Sequence, residues 1–256
     1  MKFLKKALAI LITMLMLVSV SAACTKKENA SKTTIITENT TLKTEETTAG
    51  PKETDTNILK IAQAKVGDII QFGNYEQDNN LSNGKEKIDW RVLAVENDKV
   101  LLLSEKILDT KPYNETDEDV TWETCSLRSW LNEEFYNNAF TASEKNVIIT
   151  TNVINKDNKT WGTKGGNDTN DKVFLLSYEE AEKYFSNKKD GISKYTEYAK
   201  SNGLDFWGPE WVPDWWLRTP GYSQKSASWF EEEPNNVGEY GYYKNKGDRP
   251  ALWINL

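Results

Sequence analysis

The stretch Trp211-Val-Pro-Asp-Trp-Trp-Leu-Arg-Thr-Pro-Gly221 constrains this chain more than any other. It sets Trp211, Trp215 and Trp216 beside two prolines and one arginine, then ends on a Pro-Gly turn signal. Indoles this large and this closely spaced either build a core or line a binding groove. A partner stretch closes the sequence. Arg249-Pro-Ala-Leu-Trp-Ile-Asn-Leu256 reads as a strand, with Leu252, Ile254 and Leu256 on one side and Trp253 on the other. Trp207 and Trp211 stand in a run interrupted by Gly208 and Pro209, so they are candidates to line a groove. Glu210 and Asp214 lie beside them, and aromatic faces plus fixed carboxylates suit a sugar. Trp215 and Trp216 run into a strand and are expected in the core.

The N-terminus carries an address. Lys2, Lys5 and Lys6 precede an apolar run from Ala7 to Val20, and Ser21-Ala-Ala follows just ahead of Cys24. This is the pattern of a secretory signal at residues 1–23, too short to span a bilayer stably. The small residues before Cys24 resemble the lipobox of bacterial lipoproteins, although Ser21 replaces the usual bulky aliphatic residue. The resemblance implies acylation of Cys24 and anchoring at the extracytoplasmic face of the membrane, with release of a soluble protein as the alternative. Residues 24–59 are rich in Thr, Lys and Glu with only isolated apolar positions. Such a segment buries too little surface to offset its ordering entropy, and is expected to be a disordered tether. Residues 60–256 then form a single domain.

Within that domain the apolar pattern switches repeatedly between periods. Val66–Gly73 reads as a short strand. Ile88–Val95 and Lys99–Ser104 flank Glu96-Asn97-Asp98 and predict a hairpin. Lys111–Glu123 is polar and predicts a surface loop. Leu127, Trp130, Leu131 and Phe135 fall at helical spacing from Ser126 onward. Thr141–Glu144 and Ser177–Glu180 both have the form of a capping box. Val147–Val153 and Lys172–Ser177 read as strands, Asn155–Asp171 as a long surface loop, and Tyr195–Ser201 as a short helix stopped at Asn202-Gly203. Short helices among antiparallel strands predict an α+β domain, with no repeat and no alternating βαβ pattern.

Five ordered motifs carry a resemblance. Asp89-Trp-Arg-Val-Leu93, Leu127-Arg-Ser-Trp-Leu-Asn132, Val173-Phe-Leu-Leu-Ser177, Trp215-Trp-Leu-Arg-Thr-Pro-Gly221 and Arg249-Pro-Ala-Leu-Trp-Ile254 resemble a family of Gram-positive surface and lipoprotein domains without assigned function. The likeness runs from Val66 to Leu256. The last two motifs also resemble the C-terminal half of C-type-lectin-like and formylglycine-generating-enzyme folds. That likeness implies a twisted antiparallel sheet, two or more short flanking helices and long loops at one end.

Composition removes much chemistry. The chain has no histidine, which excludes Ser-His and Cys-His nucleophile pairs and the usual zinc sets. The formylglycine-generating enzymes need a cysteine pair; with Cys24 acylated, only Cys125 remains, and it is expected as a buried, inert thiol. Glu233-Pro-Asn235 repeats a calcium-binding tripeptide of C-type lectins, but Ile254-Asn255 replaces the second acidic partner, so no metal or other cofactor is expected. A net charge of −7 makes nucleic acid an unfavourable partner. Among 32 basic residues only Arg91, Arg128, Arg218 and Arg249 are arginine, each within four residues of a tryptophan. Arginine's planar fork pairs bidentately with carboxylates and stacks on indoles. All four, with Trp253, are expected to lock strands and loops through partners such as Asp89 or Asp248; recognition of a ligand carboxylate or phosphate by one or two of them is the alternative. The expected function is a lipid-anchored, non-catalytic binding module for an envelope glycan or another cell-surface ligand. The alternatives are a carboxylate-based glycan hydrolase using Glu210 and Asp214, or a structural protein-interaction domain.

Overall fold

The computed structural model describes residues 61, 63–204, 213–232, 234–242 and 246–256. The leader, Cys24 and the tether lie outside the described residues, as do Trp207, Glu210, Trp211 and Glu233.

Alternating apolar residues build the first sheet. Strand β1 (Ile69–Tyr75) pairs antiparallel with β2 (Glu86–Glu96), which turns through Asn97 into β3 (Lys99–Ser104). Asn97 takes a left-handed φ of 50°, which asparagine tolerates in tight turns. Ile88, Trp90 and Val92 alternate inward along β2, while Val100–Leu103 are buried on both faces. The second pattern belongs to a central strand. Gly73 sits at φ 70° where the β1–β2 register shifts, and a Cβ there would meet the Phe140 ring at 2.6 Å. The strand therefore bends at the one residue that leaves room for Phe140.

Two short strands, β4 (Lys106–Ile107) and β5 (Asp109–Thr110), precede a polar connection. The expected surface loop over Lys111–Glu123 is in fact pinned by Tyr113 and Trp122, both buried. Helix α1 covers Ser126–Trp130, continues through a π turn at Leu131–Phe135 and ends as Tyr136–Ala139. It buries Leu127, Leu131 and Phe135, the apolar stripe read from the sequence. Helix α2 (Ala142–Lys145) opens on a complete capping box between Thr141 and Glu144. A small ladder joins β6 (Thr151–Val153) to β7 (Thr169–Asp171). Helix α3 (Tyr178–Tyr184) starts on the second capping box, Ser177 with Glu180. Strand β8 (Lys194–Tyr195) pairs parallel with β4, and α4 (Glu197–Ser201) ends at Gly203, φ 104°.

The C-terminal region forms the second sheet and completes the first. Strands β9 (Trp215–Pro220), β10 (Ser226–Phe230) and β11 (Pro234–Tyr240) pair antiparallel in sequence. Strand β12 (Gly247–Asp248) joins β9 to β5, and β13 (Ala251–Asn255) adds to β3. The result is a mixed α+β domain of curled, mainly antiparallel sheets with a few short helices. Among the described residues no helix is long and apolar enough to cross a membrane.

Two segments expected as strands are shorter than their composition suggests. Val147–Val153 forms a ladder only from Thr151, and Lys172–Ser177 makes a single bridge, Phe174 to Ala251. Both lie along the outer edge of β13, where Ile148 bridges Ile254. They cover an edge that would otherwise offer unpaired backbone groups. Side chains complete the bonding of the second segment: Asn132 Oδ1 accepts from the Lys172 and Val173 amides, and Arg218 donates to the Leu175 carbonyl.

One buried pair has a consequence for pH. Asp248 faces Asp109 across the β12–β5 pairing, and both are buried. Asp109 accepts from Tyr75, Asn202 and the Thr110 amide, at 2.6, 2.8 and 2.8 Å. Neither oxygen of Asp248 has a well-formed hydrogen bond. Burial first, and then the facing Asp109 charge, push the Asp248 carboxyl well above its ordinary range, against the opposing pull of Lys111. The folded state thus keeps a proton that the unfolded chain releases above about pH 4. Stability present below that pH is lost as pH rises toward the folded pKa, by at most about 1.4 kcal/mol per pH unit. Asp248→Asn removes this linkage, so urea unfolding at pH 5 and pH 8 should show a flatter dependence than wild type. Parallel profiles would place the proton elsewhere.

Candidate ligand-binding cleft

A cleft of about 550 Å³ opens between the connection following β6, the first turn of α3 and the end of β9. Ile154, Tyr178, Thr219 and Pro220 contribute its walls, and Arg218 lies beneath. The order of elements explains the juxtaposition. The capping box fixes the start of α3, and the Tyr178 amide donates to Thr219 Oγ1 at 2.9 Å, holding helix to strand. Asn158, buried in the connecting loop, donates to the Pro220 carbonyl at 2.8 Å and holds the other wall.

Arg218 is the tie at the centre. It is 4 % exposed, and its guanidinium bonds both oxygens of Glu180, the Leu175 carbonyl at 2.7 Å and the Ile154 carbonyl at 3.2 Å. One planar fork therefore joins β9, α3, the Lys172–Ser177 segment and the exit of β6. Burial works to raise the Glu180 carboxyl, but the Arg218 charge and hydrogen bonds from Arg218 and Ser177 outweigh it and hold it below the ordinary range. Glu180 thus serves as helix cap and as counterion at once.

Three carboxylates that line the cleft, Asp157, Glu179 and Glu180, are paired with cations. Glu179 receives Lys156 at 2.6 Å and also Lys159, and these contacts, Lys156 first, lower its pKa. Asp157 receives Lys164 at 2.7 Å. Burial first, and then the neighbouring Glu182 carboxylate, raises the pKa of the Tyr178 hydroxyl. Positive and negative groups both lie around the opening, so the cleft offers hydrogen bonds of both kinds around an apolar wall.

The other arginines lock distant segments. Arg91 forks onto Glu105, with contacts of 2.8 and 2.6 Å. Arg128 bonds the fully buried Asp171 at 2.7 Å. Among the described residues Arg249 meets no carboxylate: it donates to the backbone carbonyls of Ser104, Gly191 and Glu105. Its guanidinium lies 5.1 Å from the Trp215 ring and 5.8 Å from that of Phe185. The partners expected from sequence are thus corrected, since Asp89 accepts from Gln71 and Asp248 faces Asp109. Trp215 and Trp216 are fully buried, and their indole N–H groups reach the carbonyls of Gly191 and Lys111. Trp253 is 8 % exposed under the Lys99 ammonium, 4.4 Å from its ring.

Asp214 stands away from this cleft. Its carboxylate accepts from the buried Lys246 at 2.9 Å, and its carbonyl accepts from the Gly247 amide at 2.7 Å. The Lys246 ammonium also lies 4.5 Å from the Trp229 ring. Cys125 is fully buried, and burial pushes its thiol up to about 12, against bonding from the Arg128 amide and Tyr113. A thiol so held is a poor nucleophile. Among the described residues, Glu76, Asp78 and Glu86 are the carboxylates close enough to share a cation, with ligand atoms within 4.8 Å. They are also the acceptors that close their own loop, taking amides of Asn80, Gln77 and Asp78.

Sequence reasoning placed Arg218 and Glu180 in separate motifs and did not join them. Nor did it single out Tyr178, Asn158 or Thr219. The available signal was the second capping box, which put Tyr178 and Glu180 on the first turn of a helix.

A family model described as a domain of unknown function, DUF6273, matches residues 97–256. The match starts at the hairpin turn and includes all of the cleft. No curated protein and no solved structure matches the chain.

Proposed function

This chain belongs to the DUF6273 family, and we propose that it is a non-catalytic binding module for a glycan fragment of the cell envelope, seated in the cleft over Arg218. The observation that carries this reading is the cleft itself. Its volume falls in the range of small-ligand sites, about 300–1,000 Å³. An apolar wall of Tyr178, Ile154 and Pro220 faces donors and acceptors on the rim, the mixture that suits the apolar face and hydroxyls of a sugar. Glu180, the acid at the floor of the cleft, is held by the buried Arg218, and the one described thiol is buried, which favours binding over catalysis. The anchoring of the domain outside the membrane through Cys24 belongs to the same proposal, and rests on the leader sequence. A kinship of fold with C-type-lectin-like and formylglycine-generating-enzyme domains also belongs here, supported by the curled antiparallel sheets and short helices.

A panel containing the N-acetylglucosamine tetramer, cellotetraose and muramyl dipeptide tests this reading by thermal shift. A ligand at a hundredfold its Kd stabilises the native state by about 2.7 kcal/mol, which raises Tm by roughly 5–10 °C for a domain of this size. The expected result is such a shift with at least one member and no new reducing ends. Release of reducing ends would instead favour the hydrolase, and a silent panel would overturn the glycan reading.

A further inference from the structure

The loop that walls one side of the cleft carries an exposed aromatic side chain that none of the sequence motifs includes. Trp161 is 50 % exposed, whereas Trp90, Trp122, Trp215 and Trp216 are fully buried. Its loop is not loose. Asn158, at 2 % exposure, accepts the Thr160 and Trp161 amides on Oδ1 at 2.9 and 3.2 Å, and anchors to Pro220 through Nδ2. The Asn158 main chain bonds Thr163 and Gly162 at 2.9 and 2.7 Å. Asp157 then closes the base through Lys164 and the Gly165 amide. Gly165 packs so closely on the Asn155 carbonyl that a Cβ there would overlap it. Residues 157–165 thus form a rigid knob whose largest apolar group faces water.

An exposed indole on a rigid mount gives up little conformational entropy when a flat partner covers it. Thr160, its immediate neighbour, lines the cleft, as do Lys156 and Lys159. Those lysines are 62 % and 79 % exposed and bridge to Glu179 at the surface, where such pairs exchange readily for ligand contacts. We propose that Trp161 is a stacking platform beside the cleft. One pyranose ring of an oligosaccharide lies on its indole, and the chain continues past Thr160 into the cleft. This rests on the binding-module reading and narrows it to a ligand of at least two rings.

The test is isothermal titration of the full mature chain with the N-acetylglucosamine tetramer and with the monosaccharide, in wild type, Trp161→Ala and Trp161→Phe. Leu81→Ala, which trims another exposed apolar side chain outside the cleft, serves as the control. The expected result is tetramer binding weakened at least about tenfold by Trp161→Ala, largely kept by Trp161→Phe and unchanged in Leu81→Ala. The monosaccharide should bind wild type at least about tenfold more weakly than the tetramer, since it covers one subsite only. Tetramer binding that survives Trp161→Ala in full overturns the platform while leaving the binding module standing. A wild type that ignores the tetramer overturns the platform, and only one that also ignores cellotetraose and muramyl dipeptide overturns the binding module. Because Trp161 is half exposed, circular dichroism of the variants should match wild type, so lost binding is not lost folding.

Discussion

Trp215→Ala is expected to destabilise the domain by about 3–5 kcal/mol in urea unfolding, the range found when large aromatic side chains are removed from packed cores. The indole has no exposed surface and stacks on Phe230 with centroids 4.9 Å apart and planes at 17°. Phe185 meets it edge-on at 6.2 Å, and Arg249 lies over its face. Truncation removes the apolar contact area, leaves a cavity between three rigid neighbours, and takes the N–H donor from the Gly191 carbonyl. Gly191 is itself pressed against Phe230, so the backbone has little freedom to close the gap. Burial also works against the charge on Arg249, which then loses one of the two ring faces that help to offset it. A loss below about 1 kcal/mol would mean that this region is far more plastic than its packing implies.

Arg218→Ala is the second large effect. Removing one partner of a fully buried ion pair costs about 3–5 kcal/mol, and because Glu180 keeps a third of its side chain exposed the loss here should fall near the low end, about 3 kcal/mol. Here the stranded groups are Glu180 and the carbonyls of Leu175 and Ile154. The double variant Arg218→Ala/Glu180→Gln should lose less than the sum of the single losses, since the uncompensated charge is gone. The pH dependence gives an independent sign. Arg218 lowers the folded pKa of Glu180, so its stabilisation is present above the unfolded value and lost as pH falls through the folded one. The gap between wild type and Arg218→Ala should therefore narrow below about pH 4. Additive losses with a gap independent of pH would show that Arg218 acts through packing alone.

These two residues divide the tryptophan stretch differently from its appearance in sequence. Trp215 and Arg218 are three positions apart, yet one closes the core against Phe230 and the other ties the floor of the cleft. The sequence reading sought the ligand site N-terminal to them, around Trp207 and Trp211, which lie outside the described residues. The described cleft is built from segments read as loop and helix start, together with Arg218, Thr219 and Pro220 at the end of β9. Tyr178 and Asn158 take their places in it by meeting β9, at Thr219 and Pro220.

Sequence alone determined the features whose physics is local. The hairpin over residues 86–104 follows from alternation and the Asn97-Asp98 turn. The boxes at Thr141 and Ser177 follow from donors and acceptors three positions apart, and α1 from apolar spacing on one face. Each depends on neighbours that the chain cannot separate. Tertiary structure alone decided which acid meets which arginine: Glu180 lies 38 residues from Arg218, and Asp171 lies 43 from Arg128. It also gave Arg249 carbonyls in place of a carboxylate, and reduced Lys172–Ser177 to one bridge against β13. A guanidinium bonds any acceptor brought within about 3 Å, and composition does not say which will arrive. The chain path decides that, and with it where the cleft opens.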